Sequence, residues 1–97
     1  MDLHGKVFVE NKFRGGHIRV VVGELSESLY WEFGGGNCIA YVEVPNPDQW
    51  QESHLFRQFK REIFLSGLAA EICRLECPDA IYEIGSDQII FLTRLTP

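Results

Sequence analysis

The sequence predicts an α+β fold: a mostly antiparallel β-sheet of about six strands, ordered ββββ-α-ββ, with one long helix packed across one face. Three observations predict it. Alternating apolar and polar segments separated by glycine-bearing turns run from Lys6 to Val44. A helix-compatible stretch then opens at Asn46-Pro47-Asp48-Gln49 and ends before Pro78. Two further alternating segments flank Gly85-Ser86-Asp87.

Each element has its own warrant. Lys6 to Glu10 alternates, with Val7 and Val9 on one face. Phe13-Arg14-Gly15-Gly16 supplies turn chemistry, because glycine takes positive φ without steric cost. His17 to Val22 is a second strand with Ile18, Val20 and Val22 together, and Gly23 to Ser28 reads as a polar connection. Leu29 to Phe33 places Leu29, Trp31 and Phe33 on one side, and Gly34-Gly35-Gly36-Asn37 leads into Cys38 to Val44. Short glycine turns join antiparallel neighbours, so these four strands form a meander. Asn46, Pro47 and Gln49 stand at the N-cap, first-helical and capping-box positions. Thirty helical residues would measure about 45 Å, too long for this chain. The expectation is therefore a short turn over 47–52 and a main helix from Ser53 to Glu76. Ala80 to Ile84 and Gln88 to Leu95 close the chain as a hairpin.

At 97 residues the chain is a single domain, 1–97. Hydrophobic residues make up 45% and include seven Phe, three Tyr and two Trp, enough apolar area to exclude general disorder. The net charge of −5 argues against a general nucleic-acid binder and fits a basic protein partner. No apolar signal region follows Met1, and the longest apolar run, Ile63 to Ala70, is far short of a membrane span. Three cysteines without disulfide-like spacing imply reduced thiols, so the expected location is cytoplasmic.

The helix carries most of the functional signal. In its first half Leu55, Phe56, Phe59 and Ile63 share one arc. In its second half Phe64, Leu65, Leu68, Ile72 and Leu75 occupy the side that was polar one turn earlier. An apolar surface that wide needs cover. The sheet together with the hairpin or first strand would supply it, as would a kink near Ser66-Gly67. A second copy packed on Phe64, Leu65, Leu68, Ile72 and Leu75 would supply it too, and this last reading makes the protein a homodimer. Arg57, Lys60 and Arg61 share one face with no acid three or four residues away, a candidate contact for an anion or an acidic partner.

Catalytic signals are weak. Cys73 and Cys77 fit zinc spacing only loosely, and no finger-like His or Cys follows. Cys38 and both of these read as packing residues, and His4, His17 and His54 are scattered. Glu24, Glu27 and Glu32 do not form an acid–base pair by spacing, and the glycine clusters precede strands rather than the helix a phosphate loop requires. No metal, cofactor or catalytic residue is assigned. The strand aromatics point to both faces, with Tyr30 and Tyr41 or its neighbours on a second surface. The sequence is thus read as a small non-catalytic binding protein that acts through protein contacts, as a homodimer. The alternative is a small-molecule binder or minor enzyme, with a pocket between the helix and a curved sheet, lined by Trp31, Phe33 and Tyr41.

Overall fold

A computed structural model describes residues 6–12 and 15–93. Their strands are β1 (Lys6–Lys12), β2 (Gly15–Val22), β3 (Leu25–Phe33), β4 (Cys38–Glu43), β5 (Ala80–Ile84) and β6 (Gln88–Thr93). They form one antiparallel sheet in the order β1-β2-β3-β4-β6-β5. Between β4 and β5 lie α1 (Pro47–Trp50), a 3-10 turn (Phe56–Gln58) and α2 (Arg61–Glu76). The fold is α+β, with α2 packed on the sheet.

Local chemistry explains most boundaries. Gly23-Glu24 joins β2 to β3, with Gly23 at φ +60°, so β3 begins at Leu25 and not at Leu29 as the polar composition suggested. Gly15 and Gly16 are already paired strand residues, and the β1–β2 turn at Phe13-Arg14 lies outside the described residues, as do His4 and Leu95. Gly15 has to be glycine: a Cβ there would stand 2.3 Å from the Trp31 carbonyl oxygen.

The connection from β4 back into the sheet decides strand order. β4 and β5 run the same way with β6 between them, antiparallel to both. A helix crossover lands β5 two strand positions from β4, and the Gly85–Asp87 turn folds β6 into the gap. Strand β5 is thereby left at the edge.

The main helix starts eight residues later than Ser53. Asn46 caps α1 through a reciprocal capping box with Gln49, its side chain accepting from the Gln49 N–H at 2.8 Å. Beyond it, Ser53 Oγ accepts from the Phe56 N–H at 3.0 Å and opens the 3-10 turn. Phe59 and Lys60 are extended, and the Trp50 indole N–H donates to the Phe59 carbonyl at 3.0 Å. Trp50 stacks on Phe56 at 4.5 Å, and Phe56 and Phe59 both pack against Phe64. This aromatic knot takes the place of helix over 51–60.

Because the helix begins at Arg61, the first arc does not set its phase. Its inward stripe is Phe64, Leu65, Leu68, Ala69, Ile72 and Cys73, all buried against the chain's own sheet. They meet Ile18, Val20, Leu29, Trp31, Val42, Ile89 and Phe91 in one core. The α2 backbone comes closer to the edge strands β5 and β1 than to the middle of the sheet. Large rings fill the centre of this core, and Val7, Val9 and Ala80 pack at its margins.

Candidate functional site

The side chains first assigned to self-association are mostly core. Phe64, Leu65 and Leu68 are 0% exposed and Ile72 is 5% exposed within a single chain, so no second copy can reach them. Leu75 alone of the five is exposed, at the end of the helix. The apparent all-round apolar surface resolves into an inward stripe and an outer face on which Ile63, Ser66, Gly67, Ala70 and Arg74 stand beside Tyr82.

The basic trio is not a single face. Arg57 lies on the 3-10 turn, where its guanidinium donates to His54 Nδ1 at 2.9 Å. Lys60 is the N-cap of α2. Arg61 donates to the carbonyls of Pro45 (3.0 Å), Gly85 (3.1 Å) and Ser86 (2.6 Å), so its fork ties the β4–α1 and β5–β6 turns to the helix start. That occupation makes Arg61 a structural clip instead of an anion contact.

The expected pocket residues part company. Trp31 and Phe33 line a cavity of about 180 Å³ between the sheet and the C-terminal half of α2. Tyr41 does not: it alternates with Val42 and points to the opposite face of the sheet.

Among the described residues no helix lies on that opposite face, and the strand register organises it. Glu32, Tyr41, Ile90 and Glu83 form one row across β3, β4, β6 and β5. Next to it His17 is paired with Tyr30, their rings 6.0 Å apart and edge to face, and Glu43 is paired with Gln88. The Tyr30 hydroxyl donates to Glu32 Oε1 at 3.1 Å, and the Tyr41 hydroxyl donates to Glu32 Oε2. Both phenols are held above their ordinary range, first by this hydrogen bond to Glu32; Tyr41 is pushed up to about 12. Burial and the charges of Glu32 and Glu43 add to the effect. At the far margin the Arg19 guanidinium sits 5.0 Å over the exposed Phe8 ring. Side-chain parity in β3 and β4 had placed Tyr30 on this surface, but Glu32 became visible as its centre only once the β3–β4 register was known.

The acidic character continues round the Asn46 end of the sheet, where Glu27, Glu43, Glu52 and Asp87 line a shallow groove. Glu27 accepts there from the Ser53 hydroxyl. Among the described residues no group of three His, Cys, Asp or Glu side chains is placed to hold a metal ion. Cys73 is buried and Cys77 half-buried beside it; burial raises both thiols, Cys77 to about 11. Both are protonated near neutrality and poor nucleophiles. Among the described residues no helix is long and apolar enough to cross a membrane. No protein-family model, curated protein or solved structure matches the chain, so function has to be argued from these surfaces themselves.

Proposed function

We propose that this chain acts by binding a basic protein surface on the uncovered face of its sheet. The observation that carries this reading is the Tyr30–Glu32–Tyr41 network, with Glu43 and Glu83 on neighbouring strands. Tyrosines give rigid, amphipathic contact area and are enriched at interfaces. Held by one carboxylate, these two lose little further side-chain freedom on binding. Glu32, Glu43 and the acidic groove supply a negative field on a chain of charge −5 that accelerates encounter with a cationic partner. Affinity capture with the natural chain and with an E32K/E43K variant tests this. The natural chain retains a basic partner that raised salt releases, and the folded variant does not. Equal retention by both would overturn the reading.

Self-association is a second reading, now supported at a different place from the buried stripe. Strand β5 is an edge strand whose five residues, Ala80-Ile81-Tyr82-Glu83-Ile84, include no Lys or Pro. Natural edges are usually guarded by such residues. Ile81 and Tyr82 are both exposed, and Tyr82 adjoins the small-residue outer face of α2. A second β5 laid antiparallel satisfies the open backbone groups and brings the two helix flanks together.

A further inference from the structure

The cavity between the sheet and α2 is not used by either reading. Its floor is Trp31 and Phe91, its roof Ile72 and Cys77, and Phe33 stands at its mouth. Trp31 and Phe33 meet edge to face, 4.8 Å apart and at 84°. The void arises from two features of the chain. A register shift in β4 between Cys38 and Ala40 breaks the alternation of that strand, so the consecutive residues Ile39 and Ala40 both face the cavity. Ala40 also lies opposite Phe91 in the ladder, a position where a larger side chain would fill the space.

The chemistry of the walls restricts the occupant. Glu76 is exposed at the rim, and the other lining side chains among the described residues are hydrocarbon, ring or thiol. A charged group taken inside would find no opposite charge among those side chains and would keep its desolvation cost. Apolar walls of this kind offer water few hydrogen-bond partners, and an enclosed apolar void of about 150 Å³ is known to accept benzene. At about 180 Å³ this cavity has space for a single ring and little more. It is too small for the drug-sized ligands that need 300 Å³ or above. Flat aromatic walls and the Cys77 sulfur favour a ring over a branched alkane, through ring–edge and sulfur–ring contacts.

We propose that this cavity is a binding site for a neutral, flat apolar molecule of about the size of a single benzene ring, held by packing and not by charge. The site is on the opposite face of the sheet from the Tyr30–Glu32–Tyr41 surface, so it stands or falls separately from the partner reading.

Fluorobenzene followed by fluorine NMR is the direct probe, with fluorobenzoate as its charged counterpart. The full chain is expected to bind fluorobenzene saturably, and fluorobenzoate roughly tenfold more weakly or worse, as burial of an unpaired carboxylate requires. Ala40→Leu fills the void from the β4 side and is expected to abolish binding while the far-ultraviolet dichroism is unchanged. Ile39→Phe fills it from the adjacent position and serves if the first variant does not fold. The absence of saturable fluorobenzene binding to the natural chain would overturn the proposal. So would undiminished binding to a folded cavity-filled variant.

Discussion

At the scale of single residues, Glu32 organises more of the open face than any other side chain described. One carboxylate accepts from Tyr30 and Tyr41 on adjacent strands, and both phenols respond by holding their protons. Folded Tyr41 keeps its proton up to about pH 12, whereas an unfolded tyrosine gives it up near 10.0. The contribution of this hydrogen bond to stability is thus present in full below pH 10 and lost as the pH rises through 12. Glu32→Gln removes the anion and is expected to bring the ionisation of both tyrosines back toward the ordinary range. An alkaline titration of phenolate absorbance checks this: unshifted curves in the variant would show that Glu32 does not hold the pair. Arg61 illustrates how little of such a role is visible in isolation. Its sequence context offered no acid three or four residues away, and its partners are three backbone carbonyls from turns distant in sequence.

At the scale of elements, what local pattern controls was legible and what tertiary contacts control was not. The strand cores, the capping box at Asn46 and the Gly85–Asp87 hairpin turn follow from alternation and turn chemistry, and all three appear where expected. The segment 51–60 contains no Gly or Pro, so nothing in it forbids helix. Trp50 capturing the Phe59 carbonyl, and the Ser53 hydroxyl accepting from the Phe56 N–H, replace it through contacts that helix periodicity does not report. That one misplaced boundary rotated the inferred helix faces and turned a core stripe into an apparent interface. Leu68→Ala separates the two meanings. At 0% exposure it is expected to cost about 2–5 kcal/mol in chemical denaturation, with no change in native mass. A small loss of stability accompanied by dissociation would return Leu68 to an interface.

At the scale of the whole molecule, the described residues cover the sheet on one face only, and β5 forms one of its edges. Strand β5 has neither lysine nor proline. Its place at the edge follows from topology: the crossover that inserts β6 beside β4 pushes the short, apolar β5 outward. Strand order depends on pairings between residues as distant as Tyr41 and Ile90, which no local pattern encodes. If β5 joins a second copy, the assembly is a continuous sheet with two helices on one side and two acidic, tyrosine-bearing faces on the other. Ile81→Lys puts the missing guard at 42% exposure on that edge, where it should leave the fold intact. Phe8→Lys places the same charge on β1 as a control. Native mass across a dilution series is expected to show a dimer for the natural chain and for Phe8→Lys, and a monomer for Ile81→Lys. A monomer at every concentration for the natural chain would leave β5 as an unpaired edge and the open face as the means of contact with other proteins.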